Sequence, residues 1–125
     1  MTGGAGQTVL HLTTRREWDD ARTTGTYAPA GYAAEGFVHC STPDQVVGVA
    51  NRFYRGAGDV VLLEVDAART GAPLRWEPGA DRPDELFPHL YGAVPVAAVV
   101  AVHDFPEGPD GWTSVPPSLT GRAPS

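Results

Sequence analysis

An α+β fold of a single small domain is what this sequence predicts, and three observations predict it. Two amphipathic segments with helix-start signals come early, at 14–25 and 42–53. A run of apolar, strand-like segments follows, up to Phe105, and helices first with strands after is the order of an α+β domain whose helices pack on a mixed or antiparallel sheet. At 125 residues, 42% hydrophobic and 19% charged, the chain has the size and make-up of one globular domain, with no room for a second.

Residues 1–7 are Gly-rich and read as a flexible N-terminus. The globular domain runs over 8–106. From 107 to 125 the chain turns to Pro, Gly and Ser without hydrophobic periodicity, which reads as a tail. Within the domain, 8–13 alternates as a strand, with Leu10 and Leu12 on one face and His11 and Thr13 on the other. Thr14-Arg15-Arg16-Glu17 has the form of a capping box, and Trp18 and Ala21 give the helix after it an apolar side, ending near Gly25. A loop through Tyr27, Pro29, Gly31 and Tyr32 leads to a second strand, Phe37 to Cys40. It sets Phe37, His39 and Ser41 on one face, Val38 and Cys40 on the other. Thr42-Pro43-Asp44-Gln45 then starts a helix with a capping Thr, a Pro at the first position, an acid in the first turn and Gln three residues after the cap. Val46, Val49, Ala50 and Phe53 are its buried stripe. Asp59 to Asp66 is apolar nearly throughout, as a central strand is. Leu74 to Glu77 is a weaker strand, Phe87 to Gly92 an edge strand or a strand start because of Pro88, and Val96 to Phe105 the last.

The formal charge of −6, with all nine basic residues arginines and those scattered, disfavours nucleic acid as the main partner. Cys40 stands alone, so there is no disulfide framework and no multi-cysteine metal site, and a reducing cytoplasmic setting fits best. The first residues lack the basic and apolar regions of a signal peptide, and no apolar run approaches a membrane span. Oligomeric state leaves no mark in the sequence.

Four histidines carry the chemistry. His39 is followed by the hydroxyls of Ser41 and Thr42 where a strand meets a capped helix, a junction whose free N–H groups and helix dipole suit a phosphate or carboxylate. The plainer reading of both hydroxyls is helix capping, and the two roles are compatible. His11 is either a half-exposed strand histidine or a partner of His39. Phe87, His89 and Tyr91 lie on one side of an extended chain, as a wall for a planar ligand or as an aromatic edge packed on the core. His103, beside Asp104 near a strand end, reads as exposed. Cys40 points away from its neighbour His39, which disfavours a cysteine nucleophile with that base. His11, His39 and His89 form a zinc set in principle, but no closely spaced pair anchors it, and no metal is expected. Arg52 is a phosphate clamp or a solvated helix arginine.

Four segments, His11-Leu12-Thr13, Glu35-Gly36-Phe37-Val38-His39-Cys40-Ser41-Thr42, Val49-Ala50-Asn51-Arg52-Phe53-Tyr54 and Phe87-Pro88-His89-Leu90-Tyr91-Gly92, together resemble the bacterial family catalogued as domain of unknown function 952, over about residues 9 to 105. That family resembles in turn the ADP-ribosyltransferase-like fold, which implies a split sheet with NAD held in the cleft between its halves. The resemblance implies that His11 contacts a ribose and that His39, with Ser41 and Thr42, supports the nicotinamide half, nearest to the histidine–histidine arrangement of RNA 2′-phosphotransferases. Thr13, Arg52 and Tyr91 join them as ligand contacts. The third position of protein-modifying transferases is a catalytic glutamate. Here the third motif offers His89 and Tyr91, with Glu85 the nearest acid, which counts against protein as the acceptor. The expected activity is thus NAD-using transfer or glycohydrolysis, with a non-catalytic nucleotide-binding module and a histidine-based hydrolase, with or without zinc, as alternatives.

Overall fold

A computed structural model describes residues 8–120. The flexible start expected at 1–7 and the last five residues lie outside the described residues. Strand β1 (Thr8–Thr14), helix α1 (Arg15–Thr24), strand β2 (Thr26–Tyr27), the short helix α2 (Tyr32–Glu35), strand β3 (Val38–His39) and helix α3 (Pro43–Phe53) come first. Strands β4 (Val60–Asp66), β5 (Leu74–Pro78), β6 (Leu86–Leu90), β7 (Val94–Pro95) and β8 (Val99–Asp104) follow, and the short helix α4 (Pro117–Thr120) closes the order.

The strands form two three-stranded sheets, β1-β4-β8 and β3-β6-β5, and a ribbon of β2 with β7, and every pair is antiparallel. The α+β class is therefore observed, with β4 central as its apolar sequence requires. The first sheet is covered on both faces. Val9, Val61, Leu63 and Val65 pack under Trp18 and Ala21 of α1, with Tyr27, Val38 and Leu90 on the same side. Leu10, Leu12, Val60 and Leu62 pack under Val46 and Ala50 of α3. Both helices begin where their caps predict: Thr14 Oγ1 accepts from Glu17 N–H at 3.2 Å, and the Thr42 N–H donates to Gln45 Oε1 at 3.1 Å in a capping box.

Two expectations give way here. Pro88 predicts an edge strand or a strand start, yet β6 is the middle strand of its sheet and Pro88 is its third residue. Its carbonyl accepts from Cys40 N–H at 3.0 Å, so its nitrogen also faces the β3 side, and the return bond that a proline cannot give falls at Cys40, just where β3 ends. The tail expected from 107 is packed chain as far as Leu119. Trp112 is 5% exposed, stacks on Phe105 with ring centroids 5.7 Å apart and donates its Nε1–H to the Phe105 carbonyl at 2.9 Å. Asn51 of α3 clamps the Trp112 backbone from both sides, donating to its carbonyl at 2.8 Å and accepting from its N–H at 3.0 Å. One turn of backbone with two apolar anchors needs no periodicity, which is why composition alone misses it. Gly111, at φ +91°, brings the backbone so close to Asn51 that a Cβ would collide with its side-chain oxygen.

Candidate active site

The cleft lies along the free edge of β1, where β1 and the segment after β3 exchange two backbone bonds, Leu10 N–H to Ser41 at 2.9 Å and Ser41 N–H to Leu10 at 2.8 Å. Its volume is about 380 Å³, and it is walled by β1, α2, β3, one side of α3, the β5–β6 turn and β6. That volume is at the small end of ligand pockets.

His39 stands at the mouth. It is exposed, and its Nε2 lies 3.0 Å from Glu35 Oε1. Glu35 ends α2, and Gly36 at φ +83° reverses the chain so that the carboxylate meets a histidine four residues on. Directly across the sheet from His39 is His89. Their rings are 5.3 Å apart and nearly perpendicular, and Phe37 stacks on His89 at 4.2 Å and meets His39 edge-on at 4.7 Å. His89 is buried and donates from Nδ1 to Glu77 Oε1 at 2.8 Å, and the Tyr91 hydroxyl donates to the same oxygen at 2.6 Å. These two hydrogen bonds, Tyr91 first, hold the Glu77 carboxyl below its usual range. Each imidazole therefore has a carboxylate on one nitrogen. His39 Nδ1 and His89 Nε2 have no partner among the described residues.

His11 shares this cleft, as predicted, but not the role. Its Nδ1–H donates to the His39 carbonyl at 2.6 Å, and its Nε2 accepts from the Tyr27 hydroxyl at 2.8 Å. Burial, only partly offset by the bond to His39, drives its pKa down to about 4, so the ring is neutral and both nitrogens are spent. It fixes β3 against β1 rather than offering an atom to a ribose.

The other expected contacts divide. Ser41 borders the cleft. Thr13 is buried away from it, with its hydroxyl donated to Glu17 at 2.8 Å. Tyr91 stands behind Glu77 and does not line the space. Thr42 is outside too, and most of the N–H groups at its helix start are taken up by the chain itself. The N–H of Ser41 goes to Leu10, that of Thr42 to Gln45, those of Gln45 and Val46 back to the Thr42 carbonyl, and Pro43 has none. Arg52 does line the cleft, with Nε 2.7 Å from Asp81 Oδ2 in an ion pair not aligned as a hydrogen bond. It thereby holds the β5–β6 turn, where a Cβ at Gly79 would come within 2.7 Å of the Phe87 ring. Glu85 is exposed on that turn and outside the cleft, so it cannot fill the third position. The carboxylates that do line the cleft are Glu35 and Asp81.

Cys40 borders the cleft, but its thiol sits in the apolar core 3.7 Å from the Val38 carbonyl, and burial pushes it up to about 12. A nucleophilic thiolate is excluded on that ground. Among the described residues no three His, Cys, Asp or Glu side chains converge to hold a metal ion, and the zinc set fails at His11, whose nitrogens are both engaged. His103, expected to be exposed, is buried beneath the C-terminal segment. Sequence reasoning missed Glu35, Glu77 and Tyr27. Glu35 alone had a local signal, its place four residues before His39.

The model of the family described as Protein of unknown function (DUF952) matches residues 12–102. The chain belongs to this family. A crystal structure of another protein, CC0527 from Caulobacter crescentus, is 33% identical, with 85% of this chain and 92% of that one covered and a TM-score of 0.74. The solution structure of CC0527 gives 31%, 83% and 89%, with a TM-score of 0.69. No curated protein matches. These relatives carry the family and its small α+β fold. They carry neither the ADP-ribosyltransferase likeness nor NAD, and the family's description names no activity. No described helix is long and apolar enough to cross a membrane.

Proposed function

We propose that this DUF952 protein is a small-molecule enzyme working by general acid–base chemistry in the β1-edge cleft, with NAD or its nicotinamide–ribose half as the first candidate substrate. The observation that carries it is the pair of carboxylate-backed imidazoles, His39 with Glu35 and His89 with Glu77, facing one cleft at 5.3 Å. One can accept a proton while the other donates, and each carboxylate fixes its ring and stabilises the imidazolium. Phe37, stacked on His89 and edge-on to His39, holds the two rings in their relative orientation.

The fit to NAD is partial. A nicotinamide–ribose unit suits the volume, and Glu35 is the carboxylate placed to support positive charge developing on a sugar ring. A pyrophosphate has only Arg52 to meet it, and Asp81 already neutralises that cation. The sealed state of His11 favours a second reading, a binding module without turnover, because one of the two histidines expected to act is structural. Calorimetry with NAD, nicotinamide riboside and ADP-ribose, paired with chromatography for released nicotinamide, separates these. Binding with release supports the enzyme, and binding alone supports the module. If none of the three binds the folded protein at millimolar concentration, the NAD form of the reading is lost.

A further inference from the structure

A second chain of polar side chains lies at the opposite edge of the β1-β4-β8 sheet, away from the cleft. Glu64 on β4 faces Ala101, and His103 stands two residues further along β8, so the two are diagonal neighbours on one face. They are 3% and 6% exposed. His103 Nε2 lies 2.9 Å from Glu64 Oε1, and its Nδ1 lies 2.6 Å from the Oγ of Ser118, an exposed residue of α4. With the ring proton directed at the carboxylate, Nδ1 holds the lone pair and the serine hydroxyl donates to it. The order is hydroxyl, imidazole, carboxylate, with the hydroxyl open to solvent and the other two sealed.

We infer that Ser118 is a nucleophile activated by His103, with Glu64 as the positioning residue, and that this edge is a second site that hydrolyses short-chain carboxylic esters. A nucleophile within hydrogen-bond reach of a base that a third group orients is the arrangement such chemistry needs. A serine that only pinned α4 down could bond any backbone carbonyl. It would not call for a buried carboxylate behind the imidazole, which is costly to desolvate. A shallow groove of about 240 Å³ lies beside the set, lined by the chain neighbours Asp104 and Pro117, by Phe105, Trp112 and Val115, and by the hydroxyl residues Thr113 and Ser114. The apolar part of that lining suits a short acyl chain, and the Asp104 carboxylate at the rim is paired with Arg15.

In the acylation step the Ser118 oxygen bonds to the ester carbonyl carbon while its proton passes to His103 Nδ1. The carbon–oxygen bond to the alcohol then breaks, and the alcohol leaves with that proton. Water adds by the same route, its proton again going to Nδ1 and then to the Ser118 oxygen as the acid is released. Every atom is accounted for by ester and water, and no electron donor or acceptor is needed.

The test treats the full chain with a fluorophosphonate probe, locates the adduct by peptide mass spectrometry, and follows p-nitrophenyl acetate hydrolysis in parallel. The expected result is an adduct on Ser118 and a burst of about one acyl group per chain. Ser118→Ala loses both, and His103→Asn and Glu64→Gln label at least about tenfold more slowly. The position of the adduct, on Ser118 and on no residue of the cleft, separates this site from the cleft. An unlabelled Ser118 in folded protein, or hydrolysis that survives Ser118→Ala, overturns the inference. So does wild-type labelling by a folded His103→Asn variant, and circular dichroism reports the folding of each.

Discussion

His11 and His39 are joined by one hydrogen bond and differ in almost everything else. His11 is buried between the His39 carbonyl of β3 and the Tyr27 hydroxyl with both nitrogens engaged, while His39 is exposed at the cleft mouth with one nitrogen held by Glu35 and one open. The same residue type therefore serves two ends, and what decides between them is whether the fold leaves a ring nitrogen unpaired. His11 is part of what shapes the cleft. His39 presents an open ring nitrogen to the cleft.

The sharpest way to break this contrast is to remove each ring in turn. His39→Ala is expected to cut turnover of the bound ligand about 10²–10⁴-fold, measured as product release, with little change in thermal midpoint. His11→Ala is expected to cost about 2–4 kcal/mol in urea unfolding, because it leaves a small void and orphans the Tyr27 hydroxyl and the His39 carbonyl. Equal losses of stability in both variants would end the distinction.

Acid sharpens it further. His11 has its pKa depressed on folding, to about 4 from an ordinary 6.5, so below pH 6.5 the unfolded chain binds the extra proton. Its contribution is fully present above pH 6.5 and is lost as the pH falls towards 4, a total of about 3 kcal/mol. Unfolding curves at a series of pH values should show that slope in the wild type and a flatter one in His11→Gln. The smallest effect belongs to Tyr27→Phe, about 1–2 kcal/mol, from an unpaired His11 Nε2. That variant tests whether the tyrosine hydroxyl, rather than burial alone, holds the ring in place.

What the sequence made legible was local. Thr14 with Glu17 and Thr42 with Gln45 announce their helices because capping uses residues three apart, and the alternation through Phe37, Val38 and His39 assigns faces because a strand has period two. From those faces it follows that His39 and Cys40 part company, as they do. The rest depended on pairings between distant segments. Glu77 meets His89 and Tyr91 only through the register of β5 on β6, and His103 is buried only because residues 105–119 fold back over it. Tyr27 lay in an apparent loop, since a two-residue strand has no period to detect.

The clamp of Asn51 on the Trp112 backbone has a consequence for how the chain is made. Synthesis runs from the N-terminus, and β1, α3 and β4 have all emerged long before Trp112 and Leu119 are added. Until then the sheet face carrying Leu10, Leu12 and Leu62 has α3 against it but lacks its last two anchors. The nascent domain is thus open on one side until Trp112 and Leu119 are added and close it.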